Sequence, residues 1–315
     1  MKGYALLLCV FLLIASETKA QKVNYSSVDD YVANMNVDTT MKMDNLVKLI
    51  TRPFNDEHRK ARAIFDWICL NIHYDHAGFE ASLENPEAYP FKMPDEVLKR
   101  RIAICSEISS LAKEMFGRAG LKCEDIYGET RTYFSSGPFD HAWNAVYLSG
   151  KWFLFDCTWG GVNNYNKINY FYFLTPPEYL IASHLPNDIK WTLLEKNPTR
   201  DEVDRFPPVW PDYFSYSEKP FPRDKEIVST DGSLRVTNYV IKGFVQDIRI
   251  VDKDEHYIRF RQTPVLNTAG DTTAYQISGL QNGSYTMRIS GFALDPTPGT
   301  LSEGKRMVDF NLFVK

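Results

Sequence analysis

The sequence predicts an α+β domain followed by a small all-β domain. Three observations indicate this: helical periodicity in the first third of the chain, strand-like runs from about residue 123, and about 90 C-terminal residues of short alternating runs. The 315 residues, 44% hydrophobic and 24% charged, have the composition of a globular protein and suit about two domains. The net charge of -4 argues against a nucleic-acid partner, which would require a basic face.

The first 20 residues are typical of a secretory signal peptide. Lys2 precedes an apolar run over residues 4–15, and small residues end the segment at Ala20. Because a membrane span needs about 20 apolar residues, we expect cleavage near Ala20-Gln21 and no membrane span after removal of the leader. The protein is therefore predicted to be secreted or otherwise extracytoplasmic, either periplasmic or at the cell surface.

Composition shifts divide the rest of the chain. Residues 21–200 are predicted to form the first domain, 201–224 a proline-rich linker, and 225–315 an Ig-like β-sandwich. The linker region is rich in proline, but its aromatic residues are too apolar for a free tether, so we expect it to pack along the first domain. The last segment consists of runs such as SYTMRISGFA separated by turns, a spacing typical of a small sandwich.

The first domain begins with helical patterns. Residues 24–40 are polar and predicted to be irregular, whereas residues 41–50 form a helix. Asn55 is predicted to cap a second helix that reaches residue 72, because acidic residues follow it in the first turn. A proline-containing loop is expected next. A third helix is predicted over residues 105–118.

This third helix begins with a cysteine. Cys105 lies three residues before Ile108, the first residue of an apolar stripe, and so is expected at the helix N-terminus on the buried side. Unpartnered N–H groups and the helix dipole stabilise a thiolate at such a position. A cysteine on an apolar face is nevertheless more often structural. The rest of the stripe is Leu111, Ala112, Met115 and Phe116.

A hairpin with its turn at residues 149–150 brings two further polar side chains together. Its register places Trp143 opposite Asp156 and His141 opposite Thr158. Asp156 is then the diagonal neighbour of His141 on one face of the sheet, at roughly 7–8 Å between Cα atoms. A carboxylate so placed accepts the imidazole Nδ1 proton and leaves the other ring nitrogen to take a proton from a thiol.

These residues carry a resemblance to a known family. Cys105 at a helix start, His141 in H-A-W-N and Asp156 in F-D-C-T-W-G resemble, in this order, the transglutaminase-like superfamily. The segment over residues 61–75 resembles the family's preceding helix, and residues 171–194 resemble the branch that contains kyphoscoliosis peptidase. The resemblance implies a papain-like, transglutaminase-like core in which Cys105 is the nucleophile, His141 the general base and acid, and Asp156 the orienting group.

The sequence defines the residues that would assist the triad less clearly. The backbone N–H of Cys105 is a natural oxyanion donor, and Trp67 or Tyr74 is a candidate for the second, although core packing is the simpler interpretation of Trp67. Trp143 is expected to pack beside the triad. Glu107 stands where relatives commonly carry a glycine, and we expect it to disfavour the thiolate or to bind a cationic group.

No cofactor and no metal site are predicted. The chain has no Cys/His spacing of a zinc site, and His73 and His76 lack an evident third ligand. His184 is assigned to the end of a short helix. Three cysteines remain, and their disulfide pairing is left open: Cys69, Cys123 and Cys157.

The sequence therefore predicts an extracytoplasmic, thiol-dependent acyl hydrolase or transferase that acts on peptide or protein amides. A cysteine peptidase is slightly favoured over a crosslinking transglutaminase. The alternative is a catalytically weak or inactive envelope or extracellular protein whose β-sandwich binds an envelope or glycan partner. A purely structural protein stabilised by disulfides is the third hypothesis.

Overall fold

The structure, a computed structural model, describes most of the chain. The predicted leader, residues 1–20, lies outside the described residues. Within the described part of the chain, no helix is both long enough and apolar enough to cross a membrane. The described residues are 23–37, 40–85, 87, 89–131, 139–161, 167–217, 220–240, 244–293 and 304–315.

Helices and strands follow one another in a mixed order. The α-helices are α1 (Ser26–Ala33), α2 (Met43–Thr51), α3 (Glu57–Asn71), α4 (His76–Glu84), α5 (Pro94–Arg100), α6 (Cys105–Arg118), α7 (Cys157–Gly161), α8 (Pro177–Leu180), α9 (Arg200–Arg205) and α10 (Pro211–Tyr216). The strands are β1 (His73–Tyr74), β2 (Ile102–Ala103), β3 (Lys122–Thr130), β4 (Phe139–Leu148), β5 (Lys151–Phe155), β6 (His184–Pro186), β7 (Glu226–Ser229), β8 (Leu234–Thr237), β9 (Phe244–Val251), β10 (Arg261–Leu266), β11 (Thr272–Ser278), β12 (Gly283–Ala293) and β13 (Lys305–Val314).

The N-terminal segment is helical rather than irregular, so that prediction is wrong. Val28 and Val32 of α1 are buried against the first domain. Arg62 on α3 donates two hydrogen bonds to Asp29 on α1, at 2.9 and 3.1 Å. Burial and this paired guanidinium stabilise a helix that the polar local sequence does not predict.

Two other local predictions need correction. The cap of α3 is Asp56, not Asn55, because the Asp56 carboxylate accepts a hydrogen bond from the Arg59 N–H at 2.9 Å. The expected loop after α3 contains the helices α4 and α5. Asp75 caps α4 by accepting from the Gly78 N–H at 2.8 Å, and Pro94 occupies the first turn of α5.

The first domain is built on an antiparallel four-stranded sheet of order β5-β4-β3-β6. The predicted turn is confirmed, since Ser149 and Gly150 have φ of 49° and 86°. The β4–β5 ladder ends at the pair Asn144–Phe155. Helix α6 packs on the sheet, and its Phe116 ring stacks on Phe155 with centroids 4.8 Å apart.

The predicted pairs beyond that ladder, Trp143 with Asp156 and His141 with Thr158, are absent. Asp156 leaves the strand instead, and its Oδ1 accepts the Trp159 N–H at 3.0 Å, which caps the start of α7. Thr158 therefore lies in α7 rather than across from His141.

Two glycines let α7 lie directly against α3. A Cβ on Gly160 would lie 2.7 Å from Phe65 Cζ and 2.9 Å from Cys69 Sγ, and one on Gly161 would lie 2.9 Å from the Cys69 carbonyl oxygen. Helix α7, which follows Asp156 directly in the chain, is thus held close to α3, and this fixes the position of the Asp156 carboxylate.

The C-terminal region is rich in β-structure, as predicted. Its strands form a four-stranded sheet of order β7-β13-β12-β9 and a three-stranded sheet of order β10-β11-β8. Both contribute to one buried cluster, for example through Ile250 and Met287 of the larger sheet and Val236 and Ile277 of the smaller one.

The proline-rich segment contacts both parts of the chain. Tyr213 of α10 is buried in the second cluster, which also contains Ile181. The neighbouring Phe214 stacks on Phe171 and Tyr179, with centroid distances of 5.3 and 4.4 Å. The predicted linker therefore packs mainly in the core of the C-terminal region rather than along the first domain, which it contacts through the ring of Phe214.

Candidate active site

Cys105 is the first residue of α6 and is 7% exposed, so the predicted helix is confirmed. The short parallel pair β1–β2 holds the preceding segment, with His73 opposite Ile102 and Tyr74 opposite Ala103. The cysteine therefore follows a fixed strand and begins a helix whose first N–H groups have no partners within the helix.

Glu107 fastens this helix start to the loop before α5. Its Oε2 accepts the Ile104 N–H at 3.1 Å, and its Oε1 accepts the Lys92 N–H at 2.8 Å. The Lys92 ammonium lies 3.6 Å from Oε1, and the Tyr89 hydroxyl donates to Oε2 at 3.3 Å. The side chain of Glu107 is fully buried. The cationic group that Glu107 contacts is thus Lys92 of the same chain.

His141 and Asp156 form a buried pair. His141 Nε2 lies 2.8 Å from Asp156 Oδ2, whereas the sequence predicted the contact at Nδ1. Because Asp156 has left the strand, its carboxylate meets the far ring nitrogen. This leaves Nδ1 as the ring nitrogen available to the thiol, and Cys105 lies close enough to His141 to raise its pKa.

Charge stabilises this arrangement. Burial lowers the pKa of His141, but the Asp156 carboxylate and the Cys105 thiol raise it more, to about 9. Burial likewise raises the pKa of Asp156, yet His141 and His184 hold it well below its usual range. The imidazolium and the carboxylate are thus the favoured forms of this pair at neutral pH.

His184 also belongs to this site, although the sequence did not indicate it. Its Nε2 lies 3.1 Å from Asp156 Oδ2, and its Nδ1 lies 2.8 Å from Ser183 Oγ. It lies on β6, opposite Thr130 of β3, rather than at a helix end. The available signal was Pro186, which favours extended backbone at Leu185, the residue next to His184.

The segment that contains Cys105, His141 and Asp156 matches a known family. Residues 44–157 match the family model described as the transglutaminase-like superfamily. The chain carries a transglutaminase-like domain.

The chain spans less than half the length of the relatives that it matches. It is 34% identical over 166 residues to kyphoscoliosis peptidase of Homo sapiens, a match that covers 49% of this chain and 24% of that protein. It is 23% identical over 314 residues to hillarin of Drosophila melanogaster, covering 87% of this chain and 37% of hillarin. A crystal structure titled a TGase is similar at a TM-score of 0.31 and 20% identity, over 46% of this chain and 35% of that one.

The three predicted supporting residues have different surroundings. Tyr74 is half-buried; burial raises the pKa of its hydroxyl, and so does its hydrogen bond to Cys105. Trp143 is buried, with its ring 6.1 Å from that of His141 at an interplanar angle of 20°. Trp67 is also buried, and its ring carries the Arg101 guanidinium at 4.5 Å. Tyr74 therefore lies near Cys105 and Trp143 lies near His141, whereas the ring of Trp67 packs against Arg101.

Two groups of side chains in the described residues have a spacing that could hold a metal ion. In the first, His141, Asp156 and His184 already use their facing atoms in hydrogen bonds of 2.8 and 3.1 Å. The second lies around Asp252, whose carboxylate accepts N–H groups of its own loop.

No disulfide links the four described cysteines. The Cys69 thiol donates to the Cys157 carbonyl oxygen at 3.4 Å. Burial raises the pKa values of the Cys69, Cys123 and Cys157 thiols. These three thiols are therefore poor nucleophiles at neutral pH.

Proposed function

We propose that this protein is an extracytoplasmic, thiol-dependent acyl hydrolase that cleaves peptide or protein amides through Cys105. The observation that carries the proposal is the buried pair of His141 Nε2 and Asp156 Oδ2 at 2.8 Å, beside Cys105, which also raises the pKa of His141. Such an arrangement activates a thiol and supplies a proton to a leaving group.

The reaction proceeds in two stages. The proton of the Cys105 thiol resides on His141 at Nδ1, in the imidazolium that the raised pKa favours, and the thiolate sulfur bonds to the amide carbonyl carbon. The tetrahedral intermediate collapses as His141 returns the proton to the amine, which leaves with the electrons of the broken C–N bond. Water, deprotonated by His141, then attacks the thioester, releases the carboxylic acid and restores the thiol. A primary amine in place of water gives transfer instead of hydrolysis.

The developing oxyanion needs donors near the start of α6. The backbone N–H of Cys105 is one, because the first N–H groups of a helix have no partners within the helix. The Tyr74 hydroxyl, whose pKa is raised by burial and by the nearby Cys105, is the candidate for the second. Tyr74 is therefore favoured over Trp67 for this role.

Apolar side chains around the helix start suit a peptide substrate. Phe91 and Met93 flank the anchored Lys92 and are 50% and 65% exposed. Tyr127 is 51% exposed and within electrostatic range of Cys105. The human relative is named a peptidase, which supports hydrolysis over crosslinking.

A cleavage assay with an amine acceptor tests this activity. We would incubate the protein with a mixture of unfolded polypeptides and a biotinylated primary amine, and follow new termini and biotin incorporation by mass spectrometry. We expect new termini with the wild type and with the matched control Cys123→Ala, and none with Cys105→Ala. Incorporation without new termini would replace hydrolysis by transfer, and the absence of both would overturn the proposal.

Export is tested separately. Expression with the native N-terminus in a secreting host should yield a protein that begins at Gln21, as measured by intact mass. Retention of residues 1–20 in a cell-associated product would contradict the extracytoplasmic assignment.

A further inference from the structure

We propose that His184 is a positioning residue, one that holds the Asp156 carboxylate in place for His141 through a second imidazole–carboxylate hydrogen bond. This inference rests on the proposed function, in which His141 activates Cys105. His184 does not contact the thiol in this arrangement, so its influence passes through Asp156.

The Asp156 carboxylate accepts three hydrogen bonds. Oδ2 is shared by His141 Nε2 at 2.8 Å and His184 Nε2 at 3.1 Å. Oδ1 accepts the Trp159 N–H at 3.0 Å. Asp156 and His184 are 1% and 2% exposed, so water does not compete for these bonds. The carboxylate is thereby fixed from three directions, and only one of them is the bond to His141.

The protonation state of His184 follows from its neighbours. Burial lowers its pKa in spite of the Asp156 carboxylate, so the ring is neutral at neutral pH. A neutral ring can donate to Asp156 only if Nε2 carries the proton, and Nδ1 is then an acceptor. The Ser183 hydroxyl lies 2.8 Å from Nδ1 and supplies the matching donor. Ser183 thus selects the tautomer of His184 that donates to Asp156.

Aromatic rings hold the imidazole of His184 in this orientation. Its centroid lies 4.6 Å from the ring of Trp159 and 5.1 Å from that of Trp143, with interplanar angles of 64° and 86°. The strand β6 fixes its backbone beside β3. The ring therefore approaches Asp156 from a different chain segment than His141, since it is carried by β6 rather than by β4.

This geometry has a consequence for the reaction. While His141 holds the thiol proton as an imidazolium, the Asp156 carboxylate must stay ionised and aimed at Nε2. The N–H of His184 stabilises the negative charge on Oδ2 and prevents the carboxylate from rotating away. Loss of this donor should slow the chemical step while leaving substrate binding unchanged.

Kinetics of four variants test the inference. His184→Leu removes the donor, whereas His184→Gln keeps an N–H that can reach Oδ2. We expect kcat to fall about 10- to 100-fold in His184→Leu with KM unchanged, as for the loss of a hydrogen bond to a charged group, and to recover at least in part in His184→Gln. Ser183→Ala should also lower kcat, and Ser183→Thr, which keeps the hydroxyl, should not.

A measurement on the unmodified protein does not depend on how the variants fold. In protein labelled with ¹⁵N-histidine, the long-range ¹H–¹⁵N spectrum of His184 should show the neutral form with the proton on Nε2. A charged ring, a proton on Nδ1, or wild-type kcat in His184→Leu would overturn the inference. Failure of the proposed function has a different signature, because Cys105 would then react equally well with and without His141.

Discussion

Replacing Glu107 by alanine should destabilise the protein strongly, although Glu107 is not one of the reacting groups. Its buried carboxylate accepts from the backbone N–H groups of Ile104 and Lys92 and from the Tyr89 hydroxyl. The Lys92 ammonium, whose side chain is 7% exposed, lies 3.6 Å away. Glu107→Ala therefore removes three hydrogen bonds and leaves the buried Lys92 ammonium without its carboxylate partner.

The size of the effect follows from the burial. Breaking a buried ion pair by removing one partner costs about 3–5 kcal/mol, because the remaining charge is uncompensated. We expect a loss in this range for the free energy of unfolding of Glu107→Ala. Glu107→Gln keeps the shape and one acceptor oxygen, so its loss should be smaller. The matched control is Glu114→Ala on the same helix, where the ion pair with Arg118 is partly exposed and is worth at most about 1 kcal/mol.

Urea unfolding followed by tryptophan fluorescence measures these differences. Labelling of Cys105 in the folded variants reports whether the start of α6 is still in place. A free energy of unfolding for Glu107→Ala within about 1 kcal/mol of the wild type, where exposed pairs fall, would refute the reasoning.

Three further predictions concern protonation and packing. The pKa of His141 is raised to about 9 in the folded protein, so the folded state binds a proton that the unfolded state releases above pH about 6.5. The stabilisation from this proton should be complete below pH about 6.5 and lost by about pH 9. Urea unfolding of His141→Asn at each pH should show no such loss. Burial raises the pKa of Asp66 to about 8 in spite of Arg62, so the folded state binds a proton that the unfolded state releases above pH about 4. The free energy of unfolding should therefore fall between pH about 4 and 8, and Asp66→Asn should reduce this dependence on pH. Gly160→Ala should lower the melting temperature through a loss of about 1–3 kcal/mol, whereas Gly117→Ala, whose Cβ would contact nothing within 4 Å, should raise it through a gain of about 0.5–1 kcal/mol.

Local patterns predicted the elements that carry the reacting groups. The apolar stripe placed Cys105 at the first residue of α6, and the turn at Ser149-Gly150 fixed the register of the hairpin. Both features depend on periodicity and on turn geometry over a few residues. This is why the sequence sufficed for the helix start and for the strand that carries His141.

Tertiary contacts decided what the sequence could not provide. The strand ends before Asp156 because this carboxylate caps α7, and the contact with His141 therefore uses Nε2 instead of Nδ1. His184 reaches Asp156 from 28 residues further along the chain. Helix α1 forms because Asp29 pairs with Arg62, 33 residues away. Contacts at such separations leave no periodic trace in the sequence.

Activation of Cys105 by His141 underlies the proposed reaction, and the rate of Cys105 alkylation measures this activation. We would treat the native protein with iodoacetamide at pH 6 and quantify labelling of each cysteine by peptide mapping. We expect rapid labelling of Cys105 alone in the wild type and labelling of Cys105 at least tenfold slower in His141→Ala. The buried Cys69 and Cys123 serve as internal controls. Equal rates for Cys105 in the wild type and in His141→Ala would contradict it.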